Sequence, residues 1–195
     1  MIKMAKKYEF KPDKPRSGLL SKLFLTQTQR KTLLKWVLYG LMLLVLSVLQ
    51  DVLFCRARIF GATTELVPCG IFLICIAEGP ERGSVFTLIA ACLYLFSGTA
   101  AGYYCIVFIT AYGLLATCLR QAYLQKGFVA AMLCTAAAIV AYELSVFLMG
   151  LFLGMTNIGR IGGFIITAIM TLIFAPILYP VVRSISNVGG EAWKE

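Results

Sequence analysis

Long apolar segments dominate this chain and restrict its fold more than any other feature. Residues 128–153, for example, contain one charged residue, Glu143, over a length sufficient to cross the ~30 Å hydrocarbon core of a bilayer. Across the 195 residues, 60% are hydrophobic and 14% are charged, whereas soluble domains average about 25% charged residues. Long apolar runs in which all backbone hydrogen bonds must be satisfied internally are typical of transmembrane helices. The sequence therefore predicts an all-α integral membrane protein.

Six apolar segments are long enough, or nearly long enough, to cross a membrane. They are residues 36–54, 66–77, 84–96, 102–119, 128–153 and 161–182. Segment 66–77 is shorter than the ~20 residues of a usual transmembrane helix, so it must extend backwards, sit deep in the bundle or be re-entrant. Pro176 and Pro180 are expected to kink the last helix. The prediction is a six-helix transmembrane bundle over residues 36–186, followed by a short cytoplasmic tail, 187–195.

The basic residues are concentrated at the start of the chain. Residues 1–35 carry ten Lys or Arg and two acidic residues, and the remaining 160 residues carry eight Lys or Arg and seven acidic residues. This pattern predicts a basic tail attracted to anionic lipid on the cytoplasmic leaflet. Nucleic-acid binding is not expected, because no stacking aromatic residues or recognition motif accompany the charges. Residues 19–24 have the pattern of a short interfacial helix.

The same charges predict an orientation. If the N-terminus is cytoplasmic and the chain crosses six times, fifteen basic residues lie inside. Three, Arg56, Arg58 and Arg160, then lie outside. This distribution follows the positive-inside rule. We therefore predict a multi-pass membrane protein with both termini in the cytoplasm.

Catalytic and metal-binding chemistry is not expected. The chain has no histidine, which excludes Ser-His-Asp triads and histidine metal sites. None of the seven cysteines forms a CxxC pair, and all but Cys55 lie in apolar segments, where we interpret them as small buried hydrophobic residues. A phosphate-binding GxxxxGK[ST] motif is also absent. We predict no enzyme activity, no cofactor and no metal site.

Glu143 is the strongest candidate for a functional residue. It lies in the middle of an apolar segment, where a carboxyl group is costly and is therefore a functional hypothesis by default. It could couple protons, contact a partner helix or bind a ligand. Alternatively, it is a buried carboxyl that is hydrogen-bonded to Tyr142, Ser145 or another helix. A proton relay is disfavoured because the sequence shows no second acid or base in the centre of a membrane segment.

The remaining polar candidates lie near segment ends. Asp51 is expected to pair with Arg56 or Arg58 at the outer interface. A polar turn and a small-residue turn are expected to have structural roles. Their members are Glu78, Gly79, Pro80 and Gly83 in the first turn, and Gly98 and Gly102 in the second.

Residues 61–121 resemble the core of the MreD family of rod shape-determining proteins. Glu65 and Pro68 lie in the region where that family has an acid and a proline at the start of a short apolar segment. Both turns described above match the glycine-bearing turns of the family, and segments 142–152 and 177–186 are also similar. One position departs from the pattern, since Tyr94 stands where the family often has an aspartate.

The resemblance implies a non-enzymatic, six-helix scaffold of the bacterial cell-elongation complex. Such a protein helps to position lateral peptidoglycan synthesis and to maintain cell shape. Its expected partner is an MreC-like membrane protein, which connects it indirectly to an MreB-like filament and to peptidoglycan synthases. The implied fold is similar to that of the substrate-binding S components of energy-coupling-factor transporters.

That similarity of fold supplies an alternative function. An S component would capture a vitamin or metal at the outer face. Asp51, Tyr103, Tyr104 and Asn157 are the candidate ligand contacts here. The outer loops are short and poor in hydrogen-bonding groups, and the first segment lacks the Ala-x-x-x-Ala docking motif common among S components. The scaffold is therefore the favoured interpretation.

Overall fold

The computed structural model describes residues 27–54, 63–123 and 127–188, and these residues are helical apart from short turns and connections. The elements are α1 (Gln27–Leu49), continued by a π-helical turn (Gln50–Phe54), α2 (Leu66–Glu78), α3 (Pro80–Phe96), α4 (Tyr104–Tyr123), α5 (Phe128–Phe152), a 3₁₀ turn (Ile158–Arg160) and α6 (Ile161–Val188). The predicted interfacial helix 19–24 lies outside the described residues. The predicted class, an all-α membrane protein, is confirmed.

Within the described residues, four helices have the length and composition needed to cross a membrane. They are Arg30–Val52, Tyr104–Ala122, Phe128–Phe152 and Ile158–Val188. Helix α2 has 13 residues, or about 20 Å, and α3 has 17 residues. Both are short for a ~30 Å hydrocarbon core. The structure thus supports four crossings by length, and the prediction of six crossings is taken up below as a proposal.

Contacts at both ends of α1 and α2 show that these helices are antiparallel. At one end, Lys35 Nζ lies 2.7 Å from Glu78 Oε2. At the other, the Val67 N–H donates to Gln50 Oε1 at 3.0 Å. We call these the Lys35 end and the Gln50 end of the bundle. Arg120 Nη1, near the end of α4, donates to the Ile76 carbonyl at 2.8 Å, so α4 ends at the Lys35 end.

Helix α2 is the central element of the bundle. All residues from Leu66 to Ile76 are buried, and α2 contacts each of the other five helices. The Glu65 N–H, just before α2, donates to Thr171 Oγ1 at 3.1 Å. Thr171 lies ten residues into α6, or about 15 Å from its start. Segment 66–77 therefore sits deep in the bundle, and its helix begins midway along α6.

The connection between α2 and α3 is tighter than the sequence analysis predicted. Only Gly79, with a φ of +86°, separates the two helices. Pro80 occupies the first turn of α3, where its fixed φ favours helix initiation. Gly83 is therefore helical rather than part of a polar turn. A Cβ atom at Gly83 would lie 2.7 Å from the Cys75 carbonyl oxygen, so this glycine permits close approach of α2 and α3.

Other helix boundaries agree with the predicted segments to different degrees. Helix α5 ends one residue before the predicted limit. Helix α1 begins nine residues before the predicted first segment, and α6 extends to Val188 with Pro176 and Pro180 inside it. The predicted small-residue turn lies between α3 and α4, with Gly98 at a φ of +77°.

Candidate functional site

A buried ion pair joins α1 to the end of α2. The Lys35 and Glu78 side chains are 5% and 4% exposed, and their charged atoms lie 2.7 Å apart. The Tyr39 hydroxyl donates to the other carboxylate oxygen, Glu78 Oε1, at 2.6 Å. Both oxygens of Glu78 thus have a partner, as a buried carboxylate requires. This arrangement gives Glu78 a contact that joins two helices, whereas the sequence analysis placed it in a polar turn.

Aromatic rings enclose the ion pair. The Tyr39 ring lies 6.0 Å from Trp36 and 5.8 Å from Phe86 between centroids. Next to the pair is a surface cavity of about 300 Å³. The cavity is lined by Lys35, Ala77, Glu78, Gly79, Pro80, Glu81, Arg82, Gln121 and Ser186. Its charged residues have both signs, so the cavity has no net preference for an anion or a cation.

A second polar cluster lies near the start of α2. The Glu65 carboxyl group lies beside the Tyr94 hydroxyl of α3 and the Tyr142 hydroxyl of α5. Tyr94 is 2% exposed and Tyr142 is 1% exposed. Neither hydroxyl has a hydrogen-bond partner within the described ranges, and the buried Oε2 atom of Glu65 also has none there. The carboxyl group thus has an unpaired oxygen of its own and lies beside two unpaired buried hydroxyls from different helices.

Glu143 lies close to this cluster. The residue is 3% exposed, and its Oε1 atom has no hydrogen-bond partner in the described part of the chain. The predicted contact with Ser145 is not formed, because the Ser145 hydroxyl is hydrogen-bonded to Tyr112 instead. Glu143 lies near enough to Glu65 for charges on the two carboxyl groups to repel each other. The sequence analysis expected no second acid in the bundle centre, and Glu65 is that second acid.

The other sequence candidates do not form a common site. Asp51 lies in the π-helical turn, and its expected partners, Arg56 and Arg58, fall outside the described residues. Tyr103 is 84% exposed. The Tyr104 ring packs 5.8 Å from Phe108, and its hydroxyl donates to the neighbouring Ala101 carbonyl. Asn157 is exposed and precedes the 3₁₀ turn.

Four residues of these polar clusters were not recognised as site residues from the sequence. Lys35, Tyr39 and Tyr142 had no assigned role of their own. Tyr94 was noted only as a departure from the family pattern. The available signal was the presence of phenol groups at buried helix positions, since a buried hydroxyl normally needs a partner.

The described residues contain no group of three or more His, Cys, Asp or Glu side chains arranged to hold a metal ion. The six cysteines within them are free, and four of these are buried, as expected for small hydrophobic residues. The buried cysteines are Cys69, Cys75, Cys105 and Cys134.

Comparison with known proteins adds no relative: no family model, curated protein or solved structure matches the chain.

Proposed function

We propose that this chain is a non-enzymatic membrane scaffold of a bacterial cell-elongation complex, which helps to position lateral peptidoglycan synthesis and to maintain cell shape. The proposal starts from the resemblance of residues 61–121 to the MreD family. The structural observation that supports it is the position of this segment. Its described part forms α2, the central helix, together with α3 and α4, which pack against α2. The resemblance therefore concerns the residues that build the bundle.

The roles of individual residues are consistent with a scaffold. The Lys35–Glu78 ion pair joins α1 to α2. Gly83 allows two helices to approach closely. Helices α1 and α3 meanwhile present exposed apolar side chains along their outer faces, including Leu41 and Leu93. A protein of this design presents apolar helix faces to lipid or to the transmembrane helices of partners.

The proposed topology has six membrane passages and both termini in the cytoplasm. Arg120, at the end of α4, contacts the end of α2 close to Lys35. Arg82 lines the cavity beside Lys35. Placing the Lys35 end in the cytoplasm therefore groups these basic side chains on the side that the positive-inside rule favours.

The partners in this proposal are an MreC-like membrane protein and, through it, an MreB-like filament and peptidoglycan synthases. Anionic lipid would bind the basic N-terminal tail.

The decisive experiment is purification of the tagged, full-length protein from its native membrane in a mild detergent, followed by mass spectrometry of the proteins that co-purify. Recovery of an MreC-like protein with cell-wall synthases is expected. Recovery of a transmembrane coupling subunit with two ATPases, and no cell-wall protein, would overturn the proposal.

Glu143 provides a matched test in cells. Since Glu143 is buried, we expect Glu143→Ala to perturb the packing of the helices and thereby weaken partner binding. Recovery of the partner and rescue of rod shape should both be reduced. The control is Glu81→Ala, which removes an exposed acid of α3 and should retain both. Full rescue by a folded Glu143→Ala protein would show that Glu143 has no essential role.

One observation keeps an S-component function as a second candidate. An open cavity of about 570 Å³ lies at the Gln50 end, where Asn157 and Arg160 are among its lining residues. This is the face at which an S component would capture a small molecule. The purification described above distinguishes the two candidates by the identity of the recovered partner.

A further inference from the structure

The oxygens beside the start of α2 form a cluster that we call the buried polar centre, defined by Glu65, Tyr94, Tyr142 and Glu143. Each contributes a buried oxygen that has no hydrogen-bond partner within the described residues. Tyr94, Tyr142 and Glu143 are all at least 97% buried. Buried polar groups in folded proteins are nearly always satisfied, because leaving them unpaired is costly. Unpaired oxygens on three separate elements therefore indicate a ligand.

Polar groups from three other helices border the centre. From α1, Gln50 Oε1 accepts the Val67 N–H. From α6, Thr171 Oγ1 accepts the Glu65 N–H. From α4, the Cys105 thiol approaches Tyr142. The remaining titratable groups of the centre are the two carboxyls and the two phenols, and none of these carries a positive charge.

The basic side chains with assigned contacts lie elsewhere. Lys35 is paired with Glu78 at the opposite end of α2, and an Arg120 nitrogen binds the Ile76 carbonyl at that same end. The centre thus combines two nearby carboxyl groups with no described basic contact. An ionised carboxylate in this centre would need a compensating positive partner, and oxygen atoms are the ligands that hard cations prefer.

We propose that the buried polar centre binds one monovalent metal cation of the size of Na⁺, held by the Glu65 carboxylate and the Tyr94 and Tyr142 hydroxyls, with Glu143 as the second carboxyl group. A divalent ion fits less well. Calcium takes about six to eight oxygen ligands, and magnesium requires near-ideal octahedral geometry and usually keeps several waters.

This site is independent of the proposed function, and it runs counter to the prediction from the sequence that the chain holds no metal site. The test uses full-length protein in nanodiscs of phosphatidylcholine. Thermal unfolding is measured as NaCl replaces choline chloride at constant ionic strength. When Na⁺ exceeds its dissociation constant about tenfold, linkage predicts a rise in Tm of about 3–6 °C, and Tm should continue to rise with the logarithm of the Na⁺ concentration.

Variants separate binding at this centre from a general salt effect. We expect Tyr142→Phe to raise the half-saturating Na⁺ concentration about tenfold, the usual effect of losing one polar contact. Glu65→Gln should abolish the Na⁺ response. Glu81→Gln, which removes an exposed acid from α3, should leave it unchanged. If the Glu65→Gln protein does not fold, the Tyr142→Phe protein alone tests whether Na⁺ binds at this centre. This variant retains the aromatic ring and its packing against Phe72.

Binding of radioactive ²²Na⁺ at equilibrium gives a direct second measurement, with one ion per chain expected and competition by unlabelled NaCl. The proposal is overturned if NaCl and choline chloride give the same Tm. It is also overturned if the Na⁺ response persists unchanged in both Tyr142→Phe and Glu65→Gln, or if the protein responds to pH and to no metal ion. In that last case, protons and water would satisfy the centre.

Discussion

Replacing Glu78 by glutamine would leave the Lys35 ammonium group buried without its counter-charge. The two side chains are 5% and 4% exposed, so little solvent reaches the lysine to replace the lost partner. The Tyr39 hydroxyl, which donates to Glu78 Oε1, would retain an acceptor but lose the stronger bond to a charged group. The substitution therefore removes charge with little change in side-chain size.

The geometry sets the expected magnitude. At 2.7 Å and an effective dielectric constant of about 20, two unit charges attract each other by about 6 kcal/mol. Much of this attraction offsets the cost of removing both groups from water. Breaking one side of a buried pair typically costs about 3–5 kcal/mol. We expect Glu78→Gln to lower the free energy of unfolding by that amount, and Lys35→Met to have a similar effect.

A double-mutant cycle tests this reasoning. Unfolding would be followed by circular dichroism as SDS is added to the protein in mixed micelles, for the wild type, the two single variants and Lys35→Met/Glu78→Gln. The double variant should recover much of the loss, with a coupling energy above about 2 kcal/mol. A cost below about 1 kcal/mol for Glu78→Gln, together with no coupling, would refute the claim that this pair holds α1 to α2.

Two further predictions concern packing and orientation. Gly83→Ala should destabilise the protein by about 1–3 kcal/mol, because the new Cβ atom would meet the Cys75 carbonyl at 2.7 Å. Gly40→Ala, where a Cβ atom meets nothing within 4 Å, should be neutral or stabilising by up to about 1 kcal/mol in the same SDS titration. For orientation, Arg160→Cys should add labelling by a membrane-impermeant maleimide on intact cells, above that of the wild type. Arg82→Cys should do so only after permeabilisation, and the reverse pattern would contradict the proposed topology.

The long apolar helices were predictable because their signal is local. Helix α5 is 25 residues long, and a continuous apolar run of that length indicates a transmembrane helix without knowledge of its neighbours. The α2–α3 junction was harder, because the polar residues Glu81 and Arg82 resemble a loop in sequence. In the structure they form the first turn of α3, where Pro80 can start a helix directly after Gly79.

The polar clusters could not be predicted because their partners are distant in sequence. Glu78 pairs with Lys35, and Glu65 lies among residues from α3 and α5. One sequence does not show which helix faces meet. Helix α2 adds a further difficulty, since it is apolar on all sides and buried throughout, so no polar stripe indicates its orientation. The burial of the Lys35 side chain likewise depends on its contact with α2, which the sequence does not show.

The central position of α2 has a consequence for the order in which the protein is assembled. This helix is made second, yet it packs against α5 and α6, which are made last. The Glu65 N–H that precedes α2 finds its acceptor on Thr171 of α6. Helix α2 can therefore complete its contacts only after nearly the whole chain has been synthesised and inserted. Until then, a 13-residue helix must be sheltered by its early neighbours or by the insertion machinery, so chains shortened before α6 should be recognised as incomplete and degraded.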